Sequence, residues 1–322
     1  MSQAKKVDFV IPVYNEEANL PILFDRLRTD LASLSCSWRV ILVDDGSRDR
    51  SWSLIADAAR QDPRFTGLRL SRNYGQHAAI FAGFSRCDAD AVITLDADLQ
   101  NPPAEIPKLI DKFNEGYDVV GGWRQERDDP AFRKLASALM NRLVSRATGV
   151  HLRDYGCMLR LYSMQVVNHM RHCGEVSSFI PALAHCFTDR TVEIPVAHAE
   201  RQAGRSRYSF VKLLGLLLDL LTGFSMLPLR LLSLIGLILA VCGIGFGILL
   251  FVLRLLLGSA WAEEGVFTLF AILFVFIGGQ FVAFGALGEY IGRIYNEVRR
   301  RPQFVVREAI DNQLAKGTHS GA

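Results

Sequence analysis

Two aspartates separated by one residue, Asp96 and Asp98, directly follow the apolar run Ala91–Leu95. Side chains alternate faces in an extended chain, so both carboxylates and Gln100 are expected to project to one side. Carboxylates held this close repel each other, and a divalent cation removes the repulsion. Oxygen ligands suit Mg²⁺ or Mn²⁺, which complete their shells with phosphates. The stretch predicts a metal–diphosphate site, with a turn and helix cap as the alternative.

Two other strand-like runs also end in polar clusters. Val7–Val13 leads into Tyr14-Asn15-Glu16, and Trp38–Val43 leads into Asp44-Asp45-Gly46-Ser47. The carboxyl ends of parallel strands meet at one edge of a sheet, and open α/β sheets bind their ligands there. We therefore expect the three polar clusters to form one site.

Strand-like and helix-like runs alternate through residue 122 and must position these clusters. The alternation predicts an α/β fold with a mostly parallel sheet covered by helices. The expected strands are Val7–Val13, Trp38–Val43, Phe65–Leu70, Ala91–Leu95 and Tyr117–Gly121, and the expected helices are Glu17–Ser33, Ser51–Arg60, His77–Ser85 and Ala104–Glu115. The chain has neither a G-x-x-x-x-G-K-[ST] loop nor a G-x-G-x-x-G fingerprint, which counts against P-loop NTPases and dinucleotide oxidoreductases.

The composition excludes other classes of protein. The 322-residue chain is 50% hydrophobic, and its net charge of +3 is too small to suggest nucleic acid as a partner. Its six cysteines include no C-x-x-C pair, which indicates reduced thiols in a cytosolic environment rather than disulfides or a zinc site. The apolar run near the N-terminus is too short for a signal peptide.

Two long uncharged runs, Leu231–Leu253 and Gly265–Gly288, occupy the C-terminal part of the chain. As helices at ~1.5 Å per residue, each is roughly 34–36 Å long, more than the ~30 Å hydrocarbon core of a bilayer. Basic residues lie on both outer flanks, which places both termini in the cytosol. The expected organisation is a cytosolic domain over residues 1–210, interfacial amphipathic helices over 211–230, a two-helix transmembrane hairpin over 231–290 (231–253 and 265–288) and a cytosolic C-terminal tail over 291–322.

Several motifs resemble those of family 2 glycosyltransferases, which have the A-type nucleotide-sugar fold. These motifs are VIPVYNEE, VDDGSRDRS and LDADLQNPP, in that order. A second set is similar to the group within the family that acts on polyprenyl phosphates: RNYGQHAAI, DYGCMLR, HAERQAGRSRYSF and LGEYIGRIY. The resemblance covers roughly residues 6–310. The Gln-x-x-Arg-Trp motif of processive synthases is absent, which indicates a single transfer.

The resemblance implies a metal-dependent, inverting transfer of a sugar from a UDP donor to undecaprenyl phosphate at the bacterial inner membrane. It implies 4-deoxy-4-formamido-L-arabinose as the sugar, in service of lipid A modification and polymyxin resistance. Another sugar, such as glucose, is the alternative among enzymes, and a non-catalytic membrane scaffold is the alternative from another class. A transporter is less favoured, because two spans offer little to line a path. Related membrane-anchored enzymes form tetramers, so a homo-oligomer is expected.

The resemblance also assigns roles to residues at matching positions. The nucleotide-sugar site would comprise Pro12, Tyr14, Glu16, Asp44, Asp45, Asp96, Arg201 and Arg207. The metal would be held by Asp96, Asp98 and Gln100, with Asp98 the surest ligand and a catalytic residue. The lipid phosphate would bind Arg124, Arg133 and Ser137, for which a solvated basic helix is the alternative.

The acceptor chemistry limits what the enzyme must supply. A polyprenyl monophosphate has its second pKa near ~6, so the nucleophile is already ionised at neutral pH. We expect a single displacement with inversion and release of UDP. Asp154 is the candidate for orienting the acceptor or sugar, or for acting as a weak base, with a turn cap as the alternative. For His77 and His198, functional and structural roles both stay open.

Overall fold

A computed structural model describes residues 4–124, 154, 157–173, 180–197, 227–257, 266–298 and 302–311 of the chain. The chain divides into two compact units. The first comprises Met1–Leu213 and Pro302–Ala322, and the second comprises Leu214–Arg301. The first unit contains the sheet, and the second contains two long helices.

The first unit is built on a mixed sheet of eight strands within the described residues. The strands are β1 Lys6–Val13, β2 Ser37–Asp44, β3 Phe65–Leu70, β4 Ala91–Thr94, β5 Val119–Arg124, β6 Arg160–Ser163, β7 Thr191–Val196 and β8 Val306–Ile310. Their order is β7-β5-β6-β4-β1-β2-β3-β8. The strands β1, β2, β3 and β4 pair in parallel, as do β5 and β7, whereas β6 and β8 pair antiparallel to their neighbours. The predicted α/β class with a mostly parallel sheet is confirmed.

Helices cover both faces of this sheet. They are α1 Leu20–Asp30, α2 Ser51–Gln61, α3 Gln76–Phe84, α4 Ile106–Asn114, α5 Met164–His172 and α6 Ile180–His185. Phe9 and Ile11 of β1 pack in one core with α1, α2 and α4, while Val10 packs in the other core with α3, α5 and α6. Because neighbouring strand residues face opposite sides, a sheet buried on both faces needs such a continuous apolar run.

The second unit contains α7 Leu227–Leu257 and α8 Val266–Val298. Judged over the residues that the structure describes, no helix combines the length and the apolar character needed to cross a membrane. Most of the predicted interfacial segment, residues 211–226, lies outside the described residues.

Some element boundaries differ from the prediction. α1 begins at Leu20 rather than Glu17; Glu17 lies in the preceding loop, where its backbone N–H donates to Asp49 Oδ2 (3.2 Å). β4 ends at Thr94, and the chain then turns. Strand β8 was not predicted. It follows the second unit in the sequence but belongs to the first unit, where it pairs with β3 at the edge of the sheet.

Candidate active site

The parallel strands bring the predicted polar clusters to one edge of the sheet, which we call the carboxyl edge. β1, β2, β3 and β4 all end there, and β5 does too because it runs antiparallel to β6, which itself runs antiparallel to β4. Four loops that leave this edge matter most: the first loop (14–19), the second loop (45–50), the third loop (71–75) and the acidic loop (95–102). The expectation that the clusters meet at one edge is met by this topology.

The first and second loops are hydrogen-bonded to each other. The Asn15 N–H donates to Ser47 Oγ (2.9 Å), and the Glu16 N–H donates to Ser51 Oγ (2.9 Å). Asn15 has a φ of 56°, a left-handed conformation that asparagine adopts more readily than most residues. These bonds hold the half-buried Tyr14 and Glu16 side chains at the carboxyl edge. Pro12 lies just before them, at the end of β1.

Asp44 is completely buried at the end of β2. Its Oδ1 accepts the Ser47 N–H (3.1 Å), and its Oδ2 lies 3.4 Å from Arg69 Nε. Burial raises the Asp44 pKa, and the Ser47 hydrogen bonds and the Arg69 charge oppose that rise. In this arrangement the Asp44 carboxylate is engaged within the protein and stabilises the second loop.

Asp45 fixes the third loop in place. Its two carboxylate oxygens accept the N–H groups of Tyr74 (2.7 Å) and Gly75 (2.8 Å). Burial raises the Asp45 pKa, and these two amides oppose the rise. Gly46, with a φ of +71°, lets the loops touch, because a Cβ there would lie 2.6 Å from the Arg72 carbonyl carbon. Each Asp45 oxygen retains a second lone pair for a ligand.

The acidic loop presents three half-buried polar side chains, Asp96, Asp98 and Gln100. They alternate with the buried residues Leu95, Ala97 and Leu99, so the predicted alternation holds although the chain is turned rather than extended. The Gln100 N–H donates to Asp98 Oδ1 (3.2 Å).

Leu99, between Asp98 and Gln100, has a φ of 63°, which is unfavourable for a branched side chain. Its side chain is nevertheless buried, so the surrounding core holds this strained turn in place. Strain of this kind concentrates at functional sites.

Gln76, the first residue of α3, connects the third loop to the acidic loop. Its Nε2 donates to Asp96 Oδ1 (2.7 Å). The amide thereby orients the Asp96 carboxylate. Gln76 lies in the motif RNYGQHAAI, but the sequence analysis predicted no role for this residue.

The acidic loop fits a partial metal site. Within the described ranges, no three His, Cys, Asp or Glu side chains are placed to hold a metal ion by themselves. A Mg²⁺ ion bound with a nucleotide needs only one or two carboxylates, because phosphates and water complete its shell. The oxygen-only set of Asp96, Asp98 and Gln100 meets that requirement.

Asp154 approaches the same edge from the opposite direction, because it precedes the antiparallel strand β6. It is buried, with 6% of its surface exposed. The segment that follows it is tied to β4 by the Thr94 Oγ1, which donates to the Met158 carbonyl (2.6 Å). Asp154 thus lies shortly before a residue, Met158, that is hydrogen-bonded to β4, the strand that leads into the acidic loop.

Several predicted site residues are not described. Arg124 ends β5 at the carboxyl edge, but its side chain lies outside the described residues. Five further residues lie wholly outside the described residues: Arg133, Ser137, His198, Arg201 and Arg207. His77 is described: it is half-buried in the first turn of α3, and burial lowers its pKa to about 4. Its imidazole is therefore neutral at pH 7.

Comparison with known proteins shows the family to which this chain belongs. The family model described as "Glycosyl transferase family 2" matches residues 8–171. A protein of Photorhabdus laumondii named undecaprenyl-phosphate 4-deoxy-4-formamido-L-arabinose transferase is 53% identical over 313 residues, which cover 97% of this chain and 96% of that protein. A protein of the same name from Salmonella choleraesuis is 55% identical over 307 residues, covering 95% and 94%.

Solved structures share the fold at much lower identity. A structure titled "Crystal Structure of a Mycobacterial Protein" has a TM-score of 0.50 and 17% identity, covering 68% of this chain and 73% of that one. A likeness at this level supports the α/β architecture alone.

Proposed function

Because this chain belongs to glycosyl transferase family 2, we propose that it transfers 4-deoxy-4-formamido-L-arabinose from a UDP donor to undecaprenyl phosphate. The observation that carries the proposal is near-full-length similarity, at 53% and 55% identity, to two proteins named for that reaction. The hydrogen-bonded loops of the carboxyl edge also support it, because Tyr14, Glu16 and Asp45 lie in the first and second loops, which are joined to each other, and Asp96 and Asp98 lie in the acidic loop at the same edge.

The donor is bound by the first and second loops and by the acidic loop. Tyr14 and Glu16 face the nucleoside, with Pro12 beneath them, and the free lone pairs of Asp45 accept its hydroxyl groups. Asp96, Asp98 and Gln100 hold a Mn²⁺ or Mg²⁺ ion. When bound, the ion neutralises the donor diphosphate and stabilises charge on the departing nucleotide.

The basic residues serve the two phosphate groups. Arg124, Arg133 and Ser137 bind the lipid phosphate, and Arg201 and Arg207 bind the donor diphosphate. Guanidinium groups suit both, since they donate paired hydrogen bonds to phosphate oxygens. The support is the match to family motifs, together with the parallel pairing of β5 and β7, whose carboxyl ends lead into these segments.

The reaction is a single displacement. An ionised phosphate oxygen of the acceptor forms a bond to the anomeric carbon, while the bond from that carbon to the donor diphosphate breaks and its electron pair leaves with UDP. The configuration at the anomeric carbon inverts. Asp154 orients the acceptor or the sugar, because the nucleophile is already charged and needs no strong base. No proton has to be moved in this step.

The same proposal includes attachment to the bacterial inner membrane by the hairpin predicted over residues 231–290, with both termini in the cytosol. Its support is the pair of uncharged runs in the sequence and the large apolar side chains that α7 and α8 leave exposed, such as Leu256 (76%) and Phe281 (71%). A homotetramer is proposed from the family resemblance. Retention of the protein in membranes washed with alkaline carbonate tests the attachment, and release into the wash contradicts it.

A donor panel tests the reaction itself. Purified protein with Mn²⁺ is given undecaprenyl phosphate and, in parallel reactions, the UDP forms of 4-deoxy-4-formamido-L-arabinose, the unformylated 4-amino sugar and glucose. Mass spectrometry of the lipid should find product from the formamido donor at the highest rate. Product from glucose alone would move the protein to another sugar. Folded protein that binds UDP but yields no product from any donor would favour a scaffold.

A further inference from the structure

Arg160 is a completely buried arginine at the start of β6. In the sheet it lies directly between Thr94 of β4 and Gly121 of β5. A buried guanidinium is costly unless its charge and its hydrogen bonds are used. Its partner on β4, Thr94, is the last residue before the acidic loop. The contacts of the Arg160 guanidinium therefore bear on the structure of the carboxyl edge.

The guanidinium donates hydrogen bonds to two backbone carbonyls that precede Arg160 in the chain. Nε donates to the Cys157 carbonyl (3.0 Å), and Nη2 donates to the Asp154 carbonyl (2.7 Å). Two charge-assisted bonds from one planar group fix the relative position of both carbonyls. Asp154 and Cys157 are therefore both fastened to the sheet through one side chain.

A gap in the neighbouring strand admits this side chain. A Cβ at Gly121 would lie 2.8 Å from Arg160 Nη1, so any larger residue would push the guanidinium away. Across that gap, Glu193 of β7 stands opposite Gly121 in register, and its Oε1 lies 3.9 Å from Arg160 Nη2. Glu193 supplies the opposite charge that a buried arginine needs.

A histidine near Arg160 adds no positive charge that would compete for Glu193. His185 of α6 has its pKa lowered to about 4 by burial and by the charge of Arg160. Its imidazole is neutral at pH 7, so it adds no second positive charge beside Arg160.

We propose that Arg160 is a positioning residue for the transfer reaction: through its bonds to the Asp154 and Cys157 carbonyls it holds Asp154 at the carboxyl edge. Gly121 and Glu193 are the parts that allow it to lie there. The proposal rests on the proposed function for the role of Asp154, but the fastening of Asp154 and Cys157 is independent of that role.

Arg160→Lys is the first test, because lysine keeps the charge but lacks the planar fork that reaches both carbonyls. We expect kcat to fall about 10-fold to 100-fold while the KM for the UDP donor changes less than about threefold. Gly121→Ala should act in the same direction by displacing the guanidinium. Arg39→Lys is the matched control, since Arg39 is a buried, ion-paired arginine at the opposite end of the sheet. It should lower the unfolding temperature but leave kcat unchanged.

Hydrogen–deuterium exchange separates this inference from the proposed function. Arg160→Lys should raise amide exchange in a peptide spanning residues 154–160, and Arg39→Lys should leave that peptide unchanged. Unchanged exchange in Arg160→Lys overturns the inference whether or not the protein transfers sugar. Equal losses of kcat in Arg160→Lys and Arg39→Lys would also overturn it, because both would then reflect lost stability. A wild-type protein that is inactive but shows the expected exchange would count against the proposed function alone.

Discussion

The two ends of the sheet use the same residue types for different purposes. At the amino end, Asp8 and Arg39 are both buried and joined by two hydrogen bonds, Nε to Oδ1 (3.1 Å) and Nη2 to Oδ2 (2.7 Å). At the carboxyl edge, Asp96 and Asp98 are half-buried; Asp96 accepts a hydrogen bond from the Gln76 side chain, and Asp98 accepts one from the Gln100 N–H.

The charges differ accordingly. At the amino end, burial lowers the Arg39 pKa, but the hydrogen bonds and charge of Asp8 and the charge of Asp88 outweigh it and raise that pKa, so the guanidinium stays ionised. At the carboxyl edge, burial raises the pKa values of Asp44 and Asp45 above the ordinary range for aspartate. The difference is one of burial: the Asp8–Arg39 pair is enclosed in the fold, whereas Asp96, Asp98 and Gln100 of the acidic loop are half-buried at the edge of the sheet.

Backbone conformation shows the same contrast. Among the described residues, the two non-glycine residues with positive φ are Asn15 and Leu99, and both lie in loops of the carboxyl edge. Such conformations cost stability and persist only where the surrounding structure enforces them. We therefore expect substitutions at the carboxyl edge to change activity and substitutions at the amino end to change stability.

The largest effect should follow the loss of a metal-binding carboxylate. Asp98→Asn should lower kcat/KM by on the order of 1,000-fold, because the charge that holds the cation beside the diphosphate is lost. The unfolding temperature should change little, since Asp98 is half-buried and outside the two cores. Transfer rates with Mn²⁺ and thermal unfolding of the same sample measure both. Wild-type rates in this variant would show that the acidic loop is only a turn.

The next effect should fall on stability at the opposite end of the sheet. Arg39→Met leaves the buried Asp8 carboxylate without its partner and should lower the unfolding free energy by about 3–5 kcal/mol. Transfer per folded molecule should stay at the wild-type rate. The double variant Asp8→Leu, Arg39→Met is the control, because removing both charges should recover part of the loss. Chemical denaturation measures the difference, and a variant as stable as the wild type would contradict the account.

A smaller effect should come from the residue that orients Asp96. Gln76→Ala removes the 2.7 Å bond from Gln76 Nε2 and should lower metal-dependent activity by about 10-fold to 100-fold, as losing a group that orients a metal ligand does. The Mn²⁺ concentration needed for half-maximal rate should rise. Gln61→Ala, at the exposed end of α2, is the matched control and should behave as the wild type. An unchanged Mn²⁺ requirement in Gln76→Ala would count against this role.

The smallest effect concerns pH. The His77 pKa falls from 6.5 to about 4 in the fold, so between these values the unfolded chain binds a proton that the folded chain does not. Stability is therefore complete above pH 6.5 and declines as the pH falls, by about 1 kcal/mol between pH 7 and pH 5.5. His77→Gln should flatten this part of the stability profile relative to the wild type. Identical profiles for the two proteins would show that His77 titrates normally.

The parts of this site that were predictable follow from local periodicity. The acidic loop could be placed at the end of a strand because Ala91 to Thr94 is apolar and Asp96 follows. The meeting of three clusters at one edge followed from the parallel pairing that alternating strands and helices imply. Neither inference needed a contact between residues distant in sequence.

The unpredicted parts depend on distant contacts. The bond between Gln76 and Asp96 joins residues 20 apart through a loop whose position Asp45 sets. Nothing in the local sequence distinguishes Arg160 from an exposed basic residue, because its burial depends on the pairing of β6 with β5, which places it beside Gly121. Strands β6 and β8 pair antiparallel with strands distant in sequence, and this tertiary pairing decides their structure.

The lipid product made from UDP-4-deoxy-4-formamido-L-arabinose and undecaprenyl phosphate tests the central claim most directly. Its mass, its anomeric configuration and the nucleotide released would be determined from one reaction with Mn²⁺. We predict one sugar joined to the lipid phosphate, a configuration opposite to that of the donor, and one UDP released for each product. Release of UMP, retention of configuration, or no lipid product from folded protein would contradict the account.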